Sequence, residues 1–358
     1  MGIAASASVP FAIEARHRMN PRTERQVHLV AMVVGASGIA GLIYAFSQGT
    51  PTLAGVANAV GHGVAISLIL SVFEIVIQSG AGRDWFGSLP FTVSLLLRSA
   101  IYAAVILGVQ LAFLRFGSNE VGPTNSREFW NAAAFAAAAS IAINFVVEIG
   151  SLLGGRTFSN FITGRYHAPV EENRFVLFVD IVGSTGLAEQ LGGIGIHRFL
   201  DKTFRTLSES VVDYRGEVLD YVGDELIVTW SEKDGAVDCR PLRCFLAMRA
   251  TLAEAAPRFE REFGAAPRVR GSLNFGPVII GEIGDIKRAI VFNGDVMNTA
   301  ARLEQLSRET SGGFLASASA IARLGGASGA ITRGLGRMPI RGRVDGIDVF
   351  GLAADLGG

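Results

Sequence analysis

Two aspartates stand at the ends of apolar, strand-like runs, where a charged side chain is unexpected. Asp180 closes the run FVLFVD, and Asp224 follows a glycine in GEVLDYVGDELIVTW. Burial of a carboxylate is costly unless a partner compensates its charge, so a helix cap, a salt bridge and a metal ion are the alternatives. Two carboxylates on neighbouring strands, backed by glycine, are oxygen ligands suited to Mg²⁺ or Mn²⁺.

A turn of small residues and a pair of helical side chains add phosphate chemistry. The turn Gly183–Thr185 follows the first aspartate and opens a predicted helix. The first amides of a helix have no partner within it and can hold phosphate oxygens. Asn298 and Arg302, in NGDVMNTAARLEQL, are four residues apart and therefore share one helix face. An amide beside a guanidinium suits a ribose oxygen and a phosphate that develops negative charge.

The elements that must position these residues begin at Asn173, where short β-rich runs alternate with amphipathic helical stretches. The predicted strands are 174–181, the hairpin 217–221 and 225–230, a second hairpin 268–275 and 278–283, and further strands within 331–352. The predicted helices are 186–214, 239–263 and 295–307. Strands and helices interleaved with hairpins predict an α+β fold with a largely antiparallel sheet.

The first half of the chain predicts an all-α membrane domain. Four apolar stretches, 27–46, 53–78, 89–114 and 129–153, are each long enough to cross roughly 30 Å of hydrocarbon as a helix. Their many small residues favour a packed bundle or dimer. The basic segment 1–26 and the arginines in the linker 154–172 place both ends in the cytoplasm. We therefore expect an integral protein of the inner (cytoplasmic) membrane with its second half in the cytoplasm.

Ionisable residues within these apolar stretches allow two interpretations. His62, Glu74, Arg98 and Glu148 lie at membrane depth, where exposure to lipid is costly. One interpretation is a sensor in which His28 or His62 ligates haem. The other is ion pairing between helices, Arg98 with Glu74 or Glu148, which is the ordinary solution inside a bundle. We favour pairing, and haem is not expected.

Composition excludes several other classes of protein. The chain has 358 residues, of which 49% are hydrophobic and 18% charged, too apolar for an ordinary soluble enzyme. Basic and acidic residues number 32 each, so no basic excess indicates a nucleic-acid partner. The two cysteines, Cys239 and Cys244, are predicted to be reduced thiols with a packing role.

Four motifs follow one another along the second half of the chain: FVDIVGST, YVGDEL, LNFGPVIIGEIG and GDVMNTAARLE. Together they resemble the class III adenylate and guanylate cyclase catalytic domain, of the membrane-anchored bacterial type. On this resemblance we assign residues 173–355 to a cyclase domain. It implies a ferredoxin-like βαββαβ fold and a homodimer with sites at its interface. It also implies that a nucleoside triphosphate becomes a 3′,5′-cyclic monophosphate and pyrophosphate, with two Mg²⁺ or Mn²⁺ ions per site.

The resemblance also implies ligands for the metals and phosphates. Asp180 and Asp224 would hold both metals, with the Ile181 carbonyl as a further ligand. The residues implied to contact phosphate are Gly183, Ser184, Thr185 and Arg341. The last of these replaces a usual lysine and keeps its charge. The metals would lower the pKa of the 3′-hydroxyl and neutralise the leaving group.

The same resemblance places two catalytic side chains across the dimer interface. From the opposite subunit, Asn298 would orient the ribose and Arg302 would stabilise the pentavalent phosphorus. An inactive relative, used as a membrane receptor or dimerisation protein, is the remote alternative. Loss of a metal aspartate would favour it, and both aspartates are present.

Two positions depart from the family pattern where the base is recognised. Asp220 stands at the place of the adenine-reading lysine, and Val291 at that of an aspartate or threonine. An acidic side chain accepts hydrogen bonds and guanine offers N1–H and an amine, so a guanylate cyclase is the alternative. Val291 offers no hydrogen bond, and bacterial sequences of this build are more often adenylate cyclases, so we expect ATP. The GDE triplet also resembles the diguanylate cyclase signature, but Val222 before it departs from that pattern.

Overall fold

The chain is described here from a computed structural model. It covers residues 21–47, 49, 52–77, 85, 89–116, 127–153, 163–286, 288–310, 312–339 and 346–355. Arg341, predicted to contact phosphate, lies outside the described residues.

Long helices precede the catalytic half: α1 (Pro21–Ser47), α2 (Leu53–Ile77), α3 (Phe91–Phe116) and α4 (Arg127–Leu153). The four stretches predicted as helices are helical, with ends shifted by up to six residues. Three segments are long and apolar enough to cross a membrane: Val27–Ser47, Leu53–Val76 and Thr92–Ala112. The described part of α4 contains a shorter apolar stretch, Phe129–Ile143. A fourth membrane span therefore stays a prediction.

Small residues let α1 and α2 approach each other closely. A Cβ added at Gly41 would lie 2.5 Å from the Ala59 carbonyl oxygen, and one added at Gly63 would lie 2.5 Å from that of Ser37. Both distances are well inside van der Waals contact, so only glycine fits at these two positions. Close approach through small residues is how membrane helices pack without a hydrophobic driving force.

The predicted ion pair between helices is confirmed for Arg98 and Glu74. Arg98 Nη1 donates to Glu74 Oε2 at 3.2 Å, and the Tyr102 hydroxyl donates to the other oxygen of the same carboxylate. The side chain of Glu148 lies outside the described part of the chain. His62 Nδ1 lies 2.8 Å from the Asn58 carbonyl oxygen. Within the described residues, Arg98 and Glu74 thus neutralise each other.

The catalytic half folds into one sheet with helices on both faces. Its strands are β1 (Val170–Ile181), β2 (Glu217–Val222), β3 (Glu225–Ser231), β4 (Val269–Ile283), β5 (Ala289–Asn293), β6 (Phe314–Ser317), β7 (Thr332–Met338) and β8 (Ile347–Leu352). Its helices are α5 (Ser184–Asp213), α6 (Glu232–Ala236), α7 (Arg240–Phe263), α8 (Asp295–Ser307) and α9 (Ala318–Leu324).

The topology confirms the expected α+β, ferredoxin-like fold. The strand order is β2-β3-β1-β4-β6-β8-β7, with β5 paired to β4. Each neighbouring pair among the strands β2-β3-β1-β4 is antiparallel. Helix α5 joins β1 to β2 and α7 joins β3 to β4, which is the βαββαβ order. The remaining strands extend the sheet beyond β4.

Strand β1 is buried on both faces of the sheet, which explains its unbroken apolar run. Residues at alternate positions, such as Leu177 and Val179, join the core beneath α5 and α7. Val176 and Phe178 join a second core, which includes Val296 and Ala300 of α8. Successive side chains of a strand point to opposite faces, so helices on both faces require apolar residues at every position. Packing on both faces therefore fixes the position of the C-terminal end of β1.

The predicted hairpin at 268–275 and 278–283 is wrong. Val269–Ile283 is one strand, which pairs with β1 along its whole length, from Val170 opposite Ile280 to Ile181 opposite Val269. Gly276 and Pro277, the predicted turn, lie between the parts of β4 that pair with β6 and β5. A proline is tolerated where the outer edge of a strand has no ladder to complete. The twelve-residue β1 provides a template that pairs with β4 from Val269 to Ile280 and so extends across the predicted turn.

A buried arginine ties the start of β1 to its neighbours. Arg174 Nη2 donates to Glu217 at 2.7 Å, Nη1 donates to Glu172 at 3.1 Å and Nε donates to Thr229 at 3.1 Å. Its guanidinium also lies over the Phe292 ring, 5.3 Å from the centroid. Residues of four strands, β1, β2, β3 and β5, therefore contact this one side chain.

Replacement of this arginine tests its structural role. We expect Arg174→Met to destabilise the protein by about 3 kcal/mol, because the buried Glu217 carboxylate loses its guanidinium partner. The control is Arg165→Met, since Arg165 also contacts Glu172, at 3.0 Å, but its side chain is 61% exposed. An exposed pair contributes less than about 1 kcal/mol. Melting temperatures from circular dichroism in detergent measure both, and equal shifts would contradict the assignment.

Candidate active site

The two predicted metal aspartates meet at one end of the sheet. Asp180, 2% exposed, is the penultimate residue of β1 and lies opposite Glu225 of β3 and Arg270 of β4. Asp224 belongs to the tight β2–β3 turn, where Gly223 has φ of +64°. The Ile181 amide donates to the Asp224 carbonyl at 3.3 Å, which joins the turn to the end of β1. The strand ladder therefore brings both carboxylates together.

The turn after β1 lies beside the same carboxylates. Gly183 takes the left-handed conformation, with φ of +77°, and reverses the chain into α5. Ser184 Oγ donates a hydrogen bond to Asp224 Oδ2. No side chain in the described residues caps the first turn of α5, so its amides are oriented for an anion. Metal and phosphate positions predicted from the sequence are thus adjacent.

Two arginines and a further buried glutamate complete the cluster. Arg270 Nη2 forms an ion pair with Asp180 Oδ2, while its Nε donates to Glu304 Oε1 at 3.1 Å. Arg308 Nη2 lies 3.2 Å from Glu304 Oε2 and 3.7 Å from Asp180 Oδ2. The side chains of Asp180 and Glu304 are only 3% and 2% exposed. Asp180 Oδ2 has no hydrogen-bond donor of good geometry among the described residues, so these contacts are ion pairs.

The cluster raises the pKa of two of its acids. Burial, followed by the charges of Asp224 and Glu304, raises the pKa of Asp180 to about 6, and Arg270 opposes that shift. Burial, followed by the charges of Glu304 and Asp180, raises the pKa of Glu225 to about 7. Burial, together with repulsion between carboxylates, therefore outweighs the stabilisation that the arginines give to the charged forms.

The charge at this end of the sheet suits a divalent cation. The carboxylates are those of Asp180, Asp224, Glu225 and Glu304, and the guanidinium groups are those of Arg270 and Arg308. When all six are ionised, 2 − 4 leaves two negative charges. Within the described residues no three His, Cys, Asp or Glu side chains form a closed metal cage. Mg²⁺ commonly takes one or two carboxylates and completes its shell with water and substrate phosphates, so the site fits it.

Asn298 and Arg302 project away from their own chain's acidic cluster. With 3.6 residues per turn, they lie about 40° apart around α8, whereas Arg302 and Glu304 lie about 160° apart. Glu304 is buried against the sheet, while Asn298 is exposed and Arg302 is partly exposed. The predicted catalytic pair therefore shares one face, opposite to the face that contacts Asp180.

The positions predicted to recognise the base lie on β2 and β5. Asp220 is exposed, and its carboxylate accepts a hydrogen bond from the Tyr221 amide at 2.8 Å. Leu219, next to Asp220, packs on the same hydrophobic cluster as Ile290 and Phe292, the two neighbours of Val291. Strand β5 thus folds back over the sheet face towards β2.

Sequence reasoning missed the side chains that surround Asp180, namely Arg270, Glu304, Arg308 and Glu225. One signal was available, because Glu304 follows Ala300 by four residues and precedes Ser307 by three. That spacing places a carboxylate on the apolar face of α8, where it requires a partner. The partner, Arg270, lies on a distant strand, and only the fold identifies it.

A family profile described as "Adenylate and Guanylate cyclase catalytic domain" matches residues 167–351, which is more than half of the chain. The chain belongs to this family. The cyclase domain is thus preceded by the apolar helices described above, and the resemblance inferred from four motifs is confirmed. The family includes both adenylate and guanylate cyclases.

Two curated relatives of this cyclase domain are named adenylate cyclases. "Adenylate cyclase 2" of Rhizobium meliloti is 36% identical over 224 residues, which are 63% of this chain and 62% of the relative. "Adenylate cyclase" of Anabaena cylindrica is 27% identical over 139 residues, which are 37% of this chain and 27% of the relative. The chain thus spans less than two thirds of the length of either relative.

A solved structure supports the fold of the cyclase chain. A bacterial light-regulated adenylyl cyclase aligns with a TM-score of 0.53 and 19% identity. The alignment covers 65% of this chain and 67% of that one. At this identity the likeness concerns the architecture alone.

The raised pKa of Glu225 predicts a pH-dependent effect of its replacement. Its folded-state pKa is about 7 against an ordinary 4.5, so its contribution to stability is present at low pH and is lost as the pH rises towards 7. Glu225→Gln, which mimics the protonated acid, should stabilise the chelator-treated protein by about 1 to 2 kcal/mol at pH 8 after allowance for solvent screening. At pH 5 it should have little effect.

Melting temperatures in EDTA at the two pH values measure this difference. Glu189→Gln, on the exposed surface of α5, is the control for loss of a carboxylate. Equal stabilisation at pH 5 and pH 8 would show that the unfavourable ionisation of Glu225 is not the cause.

Proposed function

We propose that the chain is a membrane-anchored adenylate cyclase that forms 3′,5′-cyclic AMP and pyrophosphate from ATP for intracellular signalling. The observation that carries the proposal is the convergence of Asp180 and Asp224 beside the helix-opening turn, within a cluster of four carboxylates and two guanidinium groups. The two relatives named adenylate cyclases support ATP over GTP. The helices long enough to span a membrane support the anchor.

The divalent cations would be held by Asp180, Asp224 and the Ile181 carbonyl. Such ions, Mg²⁺ or Mn²⁺ and two per site, supply a lowered pKa for the 3′-hydroxyl and charge neutralisation on the leaving pyrophosphate. Ser184 fixes the rotamer of Asp224 through its hydrogen bond. The ladder between β1 and its two neighbours fixes the backbone of Asp180.

The protein's other groups bind and orient the triphosphate. The Gly183, Ser184 and Thr185 backbone at the start of α5 is oriented towards the phosphates, and the sequence adds Arg341. The 3′-oxygen attacks the α-phosphorus in line, and the bond from that phosphorus to the bridging oxygen of pyrophosphate breaks. Preorganised donors stabilise the charge that develops in such a step.

Asn298 and Arg302 would act on the site of a second subunit. Their exposed face of α8 is turned away from their own Asp180, so a homodimer is required to complete each site. Exposed apolar side chains on the β2–β3 turn and on the β4–β5 hairpin support such an interface: Tyr221, Val222, Ile279, Ile283 and Ile286. Exposed apolar patches of this kind mark interaction surfaces. Asn298 would orient the ribose, and Arg302 would stabilise the phosphorus transition state.

Complementation between two inactive chains tests this proposal. Asp180→Ala and Arg302→Ala should each reduce cyclic AMP formation by at least about a hundredfold, because each removes a group that acts on the transition state. Co-expression should restore about a quarter of the wild-type activity, since half of the dimers are mixed and each has one intact site. Product is measured in purified membranes with Mn²⁺. An active Asp180→Ala protein would contradict the metal site, and co-expression without recovery would contradict the dimer.

Recognition of the base is the least constrained feature of the site. Asp220 accepts hydrogen bonds when ionised and already accepts one from the Tyr221 amide. Adenine N1 is also an acceptor, so the ionised carboxylate opposes it, although the adenine amine remains a partner. Val291 contributes shape alone. Strong discrimination needs polar groups matched to the base edge, so modest selectivity follows, and a guanylate cyclase is the second candidate.

Asp220→Lys should shift the preference towards ATP. We expect the ratio of kcat/KM for ATP to that for GTP to rise about tenfold, because an ammonium donates to adenine N1 where the carboxylate opposes it. Asp348→Lys, an exposed acid on β8, makes the same charge change elsewhere on the domain. Side-by-side assays with product identification by mass spectrometry measure both. An unchanged ratio would show that Asp220 does not contact the base.

The orientation in the membrane follows from the substrate. ATP is cytoplasmic, so the cyclase domain is placed in the cytoplasm and the apolar helices in the inner membrane. The basic residues that flank the apolar stretches agree with this orientation. No nucleic-acid partner is proposed.

A further inference from the structure

We propose that Arg270 is a positioning residue that holds Asp180 for the metal and, through Glu304, links it to the catalytic helix α8. This inference rests on the proposed function, because it assumes that Asp180 is a metal ligand and that α8 acts on a partner's site. Arg270 lies outside the four family motifs, and Glu304 is the last residue of GDVMNTAARLE, where the resemblance implied no role for it. Their role follows from the ion pairs and burial of this chain.

One guanidinium contacts carboxylates from two different elements. Arg270 on β4 forms an ion pair with Asp180 on β1 and donates Nε to Glu304 on α8 at 3.1 Å. Its side chain is 18% exposed, while the two carboxylates are nearly fully buried. The planar, always charged guanidinium can serve two acceptors at fixed angles, which an ammonium cannot. The contact therefore fixes a strand relative to a helix.

The geometry leaves one oxygen of the aspartate for a cation. Arg270 and Arg308 both approach Asp180 at Oδ2, so Oδ1 is the oxygen that these contacts leave for the metal. Arg308 is 49% exposed and lies at the end of α8, whereas Arg270 is enclosed between the elements. Arg270 is therefore the residue that sets the orientation of the carboxylate.

Glu304 limits how strongly Arg270 competes with the metal. If Arg270 paired with Asp180 alone, its charge would cancel that of the metal ligand. Because Glu304 adds a carboxylate of its own and contacts the same guanidinium, Arg270 neutralises Asp180 only in part. Glu304 thus anchors Arg270 and preserves the affinity of Asp180 for a cation.

The same contact joins the two sites of the proposed dimer. Asp180 belongs to one site, whereas Asn298 and Arg302 of the same chain serve the other. The link from Arg270 to Glu304 fixes α8 relative to β1. It therefore sets the position of Asp180 in one site and of the α8 side chains in the other. Loss of the link should impair each site separately.

Direct measurement of Mn²⁺ binding to the full-length protein in detergent tests the positioning role. Electron paramagnetic resonance of free Mn²⁺ gives the Kd without any turnover. Glu304→Gln should raise the Kd about tenfold, because it removes one negative charge and releases Arg270 onto Asp180. The double variant Arg270→Met/Glu304→Gln restores the net charge, so its Kd should return to within about threefold of wild type. Its kcat should nevertheless stay at least about tenfold low, because Asp180 is no longer oriented.

Arg270→Lys separates orientation from charge. It keeps the positive charge but lacks the planar fork that holds the two carboxylates at fixed angles, so its Kd for Mn²⁺ should stay within about threefold of wild type while kcat falls at least about tenfold. Arg205→Met, which removes an exposed pair with Asp201 on α5, is the control for loss of a surface arginine. Full turnover in Arg270→Lys, or an unchanged Kd in Glu304→Gln, would overturn the proposal. So would a fall in turnover that follows melting temperature alone across the series.

Complementation then tests the link to α8. When Arg270→Lys is co-expressed with Arg302→Ala, the one complete site uses a normal Asp180 and the α8 of the Arg270→Lys chain. If Arg270 served only Asp180, this pair would match the Asp180→Ala plus Arg302→Ala pair after subtraction of the background from Arg270→Lys homodimers. We expect at least about threefold less activity, as for Arg270→Lys with Asp180→Ala. If the reference pair itself shows no recovery, the dimer of the proposed function is wrong, whereas the Mn²⁺ measurements still decide the role of Arg270.

Discussion

Arg270 shares one positive charge between two buried carboxylates, Asp180 and Glu304, and the catalytic end of the sheet depends on that balance. A full ion pair with either acid would leave the other buried and uncompensated, which is costly in a protein interior. Sharing leaves both partly compensated. Burial and the charges of Asp224 and Glu304 outweigh Arg270, and the pKa of Asp180 is raised rather than lowered. A cation brought to this cluster gains the interaction energy that the fold has left unsatisfied. Strain of this kind is characteristic of sites prepared for a charged ligand.

The rest of the fold makes this unfavourable arrangement rigid. Strand β1 is clamped by apolar cores on both faces, so Asp180 cannot move outward to relieve the repulsion. The β1–β4 ladder runs unbroken from Val170 to Ile181 and fixes Arg270 opposite Asp180. Helix α8 contributes Glu304 on its buried face and Asn298 and Arg302 on the other. Packing energy far from the chemistry thus maintains the electrostatics at the site.

Local patterns in the sequence were sufficient for the elements and for the two aspartates, but not for their surroundings. The apolar helices and the alternation of strands with helices follow from periodicity within short windows, whereas the βαββαβ order came from the family resemblance and the two-sided burial of β1 from the structure. The continuous β4 did not, because Gly276 and Pro277 carry a turn signal that the long partner strand overrides. Arg270 and Glu304 are 34 residues apart and meet only through tertiary packing. The direction of the Asn298 and Arg302 face also required knowledge of which face of α8 is buried.

The charges around Asp180 distinguish between a helix cap, a salt bridge and a metal ligand. It does not cap the following helix, because that position belongs to Gly183, which lacks a side chain. It does form salt bridges, but Arg270 and Arg308 are both shared with Glu304, so two guanidinium groups face a cluster of four carboxylates. A purely structural salt bridge would be more stable without Asp224 and Glu225. The charge of Asp224 raises the pKa of Asp180, and the pKa of Glu225 is itself raised, by burial and then by the charges of Glu304 and Asp180. The presence of Asp224 and Glu225 beside a turn whose amides have no side-chain cap would be explained if a divalent cation and its phosphate ligands bind at this end of the sheet. The ion pairs with Arg270 and Arg308 both engage Oδ2 of Asp180, so they are compatible with the metal-ligand role proposed for the same carboxylate.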